Sequence, residues 1–253
     1  MEFRTFSFTG PSGYQYEIRE QNGADEDILS NLSDMKNLMN ITKFISAIVV
    51  KTDVTPTGKL TVEDALSLPV NDRYCIIFQS RIFSLGEEVE FEYDWGKENG
   101  GKVTYGQDLN EFLFDFSDSP NEEEMDKKPD AIPFYPYGKR LKDHEVTLDS
   151  GKLIKFDCMN GHGEQKLVSM PLDKQTKNAP LLCRNLCLEV DGKWEVVENF
   201  AIFTAKDMAQ IRKQVASIDP IFKGESHITN PVTGEERTYP IIWAPSFFYL
   251  TEE

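Results

Sequence analysis

Apolar and polar residues alternate twice around the same kind of break. Arg4 to Phe8 and Tyr14 to Ile18 flank Pro11-Ser12-Gly13, and His144 to Leu148 and Lys152 to Phe156 flank Asp149-Ser150-Gly151. Period-two alternation about a Ser-Gly break predicts a β-hairpin at each place. Asn22-Gly23 and Asn160-Gly161 then offer turns able to take positive φ, and the acids that follow stand where a helix N-terminus favours negative charge. Further along, Tyr74, Ile77, Phe78 and Ile82 form an apolar stripe at helical spacing, as do Met208, Ile211, Val215 and Ile218 behind the capping-box spacing of Thr204 and Asp207. Both stripes are expected to face a core.

The recurrence is ordered. Shifting the chain by 138 positions lays Thr9, Ser12 and Gly13 over Thr147, Ser150 and Gly151, and continues without a gap to Asn22-Gly23 over Asn160-Gly161 and Leu29 over Leu167. With the offset drifting to 134, Gly58-Lys59 lies over Gly192-Lys193 and Asn71–Phe83 over Ala205–Ser217. Each copy closes on a polar hairpin and an aromatic ending, Val89 to Gly96 then Phe112 to Phe114, and His227 to Gly234 then Phe247 to Tyr249. The expected fold is therefore α+β: two tandem related units, each with an N-terminal β-hairpin, two to four helices and a C-terminal β-hairpin. Unit 1 spans 1–116 and unit 2 spans 143–253. Between them, 117–142 opens with an acidic, solvated stretch, Ser117 to Asp130. The aromatic, proline-bearing Ile132 to Tyr137 that follows either packs the units together or binds a partner.

Composition narrows the function. Forty per cent apolar residues and seventeen Phe supply ample core. A net charge of -16 with no basic, aromatic-interleaved stripe argues against nucleic acid as a partner. Met1-Glu2-Phe3-Arg4 has neither the basic start nor the apolar stretch of a signal peptide, and no apolar run reaches the length of a membrane span. A soluble protein in a reducing interior, without membrane partners, is expected.

Chemistry-bearing motifs are sparse. Cys183 and Cys187, four apart, would share a helix face and offer two thiolates to zinc, but the remaining Cys and the three His form no paired motif to complete four ligands. Asp25-Glu26-Asp27 lacks the alternating oxygens of a calcium loop and reads as a charged helix start. No Gly-x-Ser-x-Gly elbow, Walker loop or dinucleotide fingerprint occurs. No catalytic residue, cofactor or metal site is expected, and an enzyme has no motif in its favour.

The order of a Ser-Gly hairpin, Asn-Gly before an acidic helix, further helices, a terminal hairpin and a Phe-Phe ending resembles the baseplate protein family of T-even-type contractile phage tails, its hub subunits and hub assembly chaperones. Ile218-Asp219-Pro220-Ile221-Phe222, then Thr233-Gly234-Glu235, then Pro245-Ser246-Phe247-Phe248 carries the likeness most specifically. Related tail proteins often have a Cys-x-x-Cys-Gly knuckle in the last hairpin. Glu92 and Trp95 in the first copy, and Asn230 and Thr233 in the second, stand at those Cys positions. The resemblance thus implies metal-free hairpins held by strand pairing and aromatic packing. It also implies a structural baseplate component that contacts other hub, baseplate or tail proteins within a hetero-oligomeric assembly, in a phage tail or a related contractile injection system. The first alternative is a transient assembly chaperone found in the host cytoplasm and missing from the mature virion; the second is an uncharacterised enzyme using the acidic residues, which no motif supports. The aromatic residues expected to reach partners are Trp95, Phe134, Tyr135, Tyr137, Trp243, Phe247 and Phe248.

Overall fold

Both Ser-Gly breaks form hairpins with the same hydrogen bonds. In the computed structural model, which describes residues 3–116, 122–243 and 245–249, β1 (Thr5–Thr9) pairs antiparallel with β2 (Gln15–Arg19). The amide of Gly10 donates to the Tyr14 carbonyl and that of Gly13 to Gly10, each at 2.8 Å; 138 residues later Leu148 donates to Lys152 and Gly151 to Leu148, again at 2.8 Å. Gly13 at φ 82° and Gly151 at φ 83° make the left-handed corner that a residue with a Cβ resists. Asn22 and Asn160 serve a different end from the one expected. Neither following glycine has positive φ; each Asn is instead an N-cap whose side-chain oxygen accepts from a free first-turn amide, Ala24 N at 2.9 Å and Gly163 N at 3.1 Å.

The first helices are α1 (Gly23–Leu29), α2 (Leu32–Met35) and α3 (Met39–Ile48), which leads into β3 (Val49–Thr52), the third strand beside β2. Then come α4 (Val62–Ser67) and α5 (Val70–Leu85), followed by the hairpin of β4 (Glu88–Asp94) and β5 (Lys102–Asp108). A short exposed helix, α6 (Glu122–Lys127), precedes the second series: β6 (His144–Thr147), β7 (Leu153–Phe156), α7 (Gly161–Val168), α8 (Ala179–Leu182), β8 (Cys187–Val190) and β9 (Lys193–Val196). The chain ends with α9 (Ala205–Ile218), the hairpin of β10 (Glu225–Thr229) and β11 (Glu236–Pro240), and α10 (Pro245–Phe248). Among the described residues all strand pairing is antiparallel, in sheets ordered β1-β2-β3 and β6-β7-β8-β9 and in two separate hairpins, so the architecture is α+β. No helix among the described residues is long and apolar enough to cross a membrane.

The alignment at offset 134 fails locally. Glu63 falls in α4, because Thr61 and Asp64 close a capping box, whereas Lys193 to Val196 form β9 beyond the positive-φ turn at Asp191-Gly192. Behind them α5 and α9 each carry an acid that clamps the preceding hairpin, although at that offset Asp72 lies over Lys206 and Asp207 over Arg73. Asp72 of α5 accepts from the Ser12 amide at 2.9 Å and from the Ser12 and Tyr16 hydroxyls. Asp207 of α9 accepts from the hydroxyl of Ser150, the residue 138 positions after Ser12, and from Lys152 at 2.8 Å.

These two clamps titrate in opposite directions. Asp72 is buried with no cation beside it, and loss of hydration raises its carboxyl to about 6 against the hydrogen bonds that favour its ionised form. The Lys152 ammonium, helped by Ser150, holds Asp207 well below the usual carboxylate range. A folded pKa above the unfolded one means that the stability linked to Asp72 is fully present below about pH 4 and is lost as pH rises through about 6, a change on the order of 3 kcal/mol. Urea midpoints taken across that range should fall with pH more steeply in the wild type than in Asp72→Asn. Parallel curves would mean that Asp72 does not change protonation on folding.

The cores cross the expected boundary at residue 143. Tyr16, Phe44, Ile45, Ile76, Phe78, Leu109 and Phe112 share one buried cluster with Phe222, Ile228, Ile241, Ile242 and Phe247. A second cluster holds Tyr135, Leu148, Ile154, Phe156, Phe203, Met208, Ile211 and Val215. The two closing hairpins meet face to face. Phe91 stacks on Tyr239 with centroids 4.5 Å apart, the Tyr105 hydroxyl donates to the Thr229 carbonyl at 2.9 Å, and the Asn230 amide donates to the Asn99 carbonyl at 3.0 Å.

Candidate functional site: a basic cavity at the seam between the halves

The seam is built from the start of α5. The Val70 amide donates to the Met159 carbonyl at 3.0 Å. Asn71 is wholly buried: its amide nitrogen donates to the carbonyls of Pro133 at 2.9 Å and Pro220 at 2.6 Å, and its oxygen accepts from the Phe222 amide at 3.1 Å. Arg73, only 2% exposed, donates to Glu164 of α7 at 2.9 Å, to the Ala65 carbonyl at 2.8 Å and to the Thr42 hydroxyl at 3.2 Å. A second buried pair, Arg184 and Asp219 at 2.7 Å, sits nearby, and the same Asp219 oxygen accepts from the Met159 amide.

Backbones approach closely here, which explains the two glycines of Asn160-Gly161-His162-Gly163. A Cβ at Gly161 would lie 2.8 Å from both an Arg73 nitrogen and the Leu66 carbonyl oxygen, and one at Gly163 would lie 2.7 Å from the Cys183 carbonyl oxygen. Beside this contact opens a cavity of about 830 Å³ whose walls come from both halves, Tyr14, Asp64 and Leu68 on one side, Asp157, Asn160 and Cys183 on the other. Lys139, Arg140, Lys142, His162 and Lys166 also line it.

Cys158 lies on the same lining, its Sγ 3.6 Å from Nε2 of the buried His144. A thiol beside an imidazole is the elementary unit of cysteine nucleophilic catalysis. Burial pushes the Cys158 thiol up and the His144 imidazole down, so both are neutral near pH 7, and a neutral thiol is a poor nucleophile. Desolvation also raises the other three Cys, all of them buried free thiols. Cys183 and Cys187 share no helix face: Cys183 caps α8 and Cys187 begins β8 after the positive-φ turn at Asn185. No group of three or more His, Cys, Asp or Glu among the described residues is placed to hold a metal ion.

The aromatic residues expected at partner contacts divide by burial. Trp95, Tyr135 and Phe247 belong to the protein's own cores. The Trp95 indole donates to the Tyr105 hydroxyl at 2.9 Å, and the Tyr135 hydroxyl accepts from the Asn71 amide at 3.2 Å. Phe134 and Phe248 are half-buried and Tyr137 is exposed, while the side chain of Trp243 lies outside the described residues. The Ile132 to Tyr137 segment touches both halves: Ile132 donates its amide to Phe112 at 2.9 Å and Tyr135 to Pro11 at 3.0 Å in the first, and the Tyr135 ring packs in the cluster of Leu148, Ile154 and Phe156 in the second.

The sequence reading missed Asn71, Arg73, Arg184 and Asp219. On a helix or in a turn, a polar residue that will be buried has the same local pattern as one that stays in water. The cavity did leave a signal in Lys139-Arg140-Leu141-Lys142, a dense basic run in an acidic chain. Compared with known proteins, the chain matches no family model, no curated protein and no solved structure.

Proposed function

We propose that the chain is a duplicated structural module that works through its surfaces as a component of a contractile phage tail baseplate, or of a related injection system, near the hub. The duplication rests on the hydrogen-bonded Ser-Gly hairpin, its Asn-capped helix and its Ser-Asp clamp, each recurring in the second half. The copies differ in what completes the clamp, since Tyr16 binds Asp72 in the first and Lys152, at the position of Tyr14, binds Asp207 in the second.

The observation that carries the functional reading is the segment from Ile218 to Phe248, where the family likeness is densest. In this chain its hairpin packs against the hairpin that closes the first half, without thiolates at either knuckle position. Aromatic packing fills the role that the resemblance gives to a metal in related tail proteins. The acidic surface favours basic faces on partner proteins and keeps the free chain from self-associating.

Mass spectrometry of purified particles tests the assignment. A structural component is recovered at a fixed ratio to other baseplate proteins. Clean absence from particles, together with capture of a hub or wedge protein from infected cells, would instead select the assembly chaperone.

A further inference from the structure

We propose that the cavity at the seam binds a small polyanion, a molecule carrying two or more phosphate or carboxylate groups. The inference does not depend on the baseplate reading. It starts from a contrast of charge. The chain carries -16 overall, a field that repels anions from most of its surface. Within that field, four permanent cations, Lys139, Arg140, Lys142 and Lys166, line one concave surface against two carboxylates, Asp64 and Asp157.

Hydrogen bonds fix where these charges stand, the two carboxylates through neutral donors that leave their charge in place, so the lining keeps four cations against two anions. Asp64 accepts from the Thr61 amide and hydroxyl at 2.8 and 2.7 Å as part of a capping box. Asp157 accepts from the Asp143 amide at 3.0 Å and the Asn185 amide at 2.9 Å. Most of the cations, by contrast, lack a carboxylate hydrogen bond. Arg140 donates to the Asp143 carbonyl at 3.2 Å and Lys166 to the Leu182 carbonyl at 2.7 Å, contacts that orient the side chains without neutralising them. Lys142 has no hydrogen-bond partner among the described residues; the Asp143 carboxylate, bound by Lys155 at 2.6 Å, attracts both Lys142 and Arg140 without a hydrogen bond to either. Lys139 alone is paired, with Asp53 at 2.6 Å, and its ammonium lies 4.6 Å from the centre of the Tyr14 ring.

Geometry sets the class of ligand. A volume of about 830 Å³ lies within the range of small-molecule sites, roughly 300 to 1,000 Å³. The cations come from two segments, the 139–142 run and α7, so a molecule with more than one anionic group can engage both at once. Such a ligand would also join the halves, since Tyr14 and Leu68 belong to the first and α7 to the second.

The test is calorimetric titration of the full chain with pyrophosphate and, separately, with citrate. Saturable one-site binding is expected, weakened about tenfold or more by Arg140→Ala or Lys142→Ala, each of which removes one charged donor. Lys213→Ala, an exposed cation of α9 outside the cavity, should leave affinity unchanged. All three side chains are exposed, so folding is expected to survive and can be checked by circular dichroism. A glutamate-rich peptide forms a third arm. Binding of the peptide alone would replace the small-molecule assignment with a partner's acidic segment. Absence of saturable binding to every probe, or equal weakening by Lys213→Ala and Lys142→Ala, would reduce the cavity to diffuse attraction and overturn the proposal.

Discussion

Phe222→Ala should lower the free energy of unfolding by about 3 to 5 kcal/mol, the usual cost of removing a buried phenyl ring and leaving a cavity. Phe222 is 4% exposed, and its ring meets those of Tyr74, Phe78 and Phe112 edge-on at centroid distances of 5.5, 5.4 and 5.5 Å. Three edge-to-face pairs add to the loss of buried area. What makes the prediction specific is where the damage appears. Phe222 follows α9 in sequence, yet its partners belong to α5 and to the residues just beyond β5. Amide exchange in β2 and α5 should therefore accelerate in Phe222→Ala alongside exchange in β10 and β11. If faster exchange stayed within residues 205–249, the two halves would not share this core.

The same packing changes what a cut between the halves should do. With Phe222, Ile241 and Phe247 seated in the first core, the fragments on either side of the acidic stretch complete one another. Tandem units with separate cores would instead come apart after such a cut.

Much of the local structure was legible because it obeys local physics. A Ser-Gly break between alternating runs, a Thr and an Asp three apart before an apolar stripe, and an Asn ahead of acids each determine their own backbone within a few residues. The readings that failed depend on distant atoms. Lys59 to Glu63 resembles Lys193 to Val197 in composition, but a capping box turns the first into a helix start, and pairing with β8 makes the second a strand. Cys183 and Cys187 have helical spacing, and the left-handed residue at Asn185 breaks it. Trp95 and Phe247 look like surface anchors until the opposing hairpin and the first core are there to cover them. The cavity was half legible: its basic run is plain in the sequence, but the wall that α7 supplies is not.

Arg73→Ala should cost about 3 to 5 kcal/mol, the scale expected when one member of a buried ion pair is removed and the other is left behind. Three groups lose their donor at once: the Glu164 carboxylate, the Ala65 carbonyl and the Thr42 hydroxyl. Glu164 suffers most, since burial already raises its carboxyl and only the Arg73 guanidinium opposes that shift. Without Arg73 the folded pKa of Glu164 rises further, so protonation relieves the stranded charge. The stability gap between Arg73→Ala and wild type should narrow as pH falls below neutrality, in line with a group whose folded pKa exceeds its unfolded value. Replacing both partners by apolar residues, Arg73→Met with Glu164→Leu, should recover most of the loss, because the pair's attraction and its desolvation roughly offset one another. Urea denaturation of the two single variants and the double variant closes the cycle. A loss below about 1 kcal/mol in Arg73→Ala, the range of solvent-exposed pairs, would mean that water reaches the pair and that the seam between the halves is looser than a buried contact.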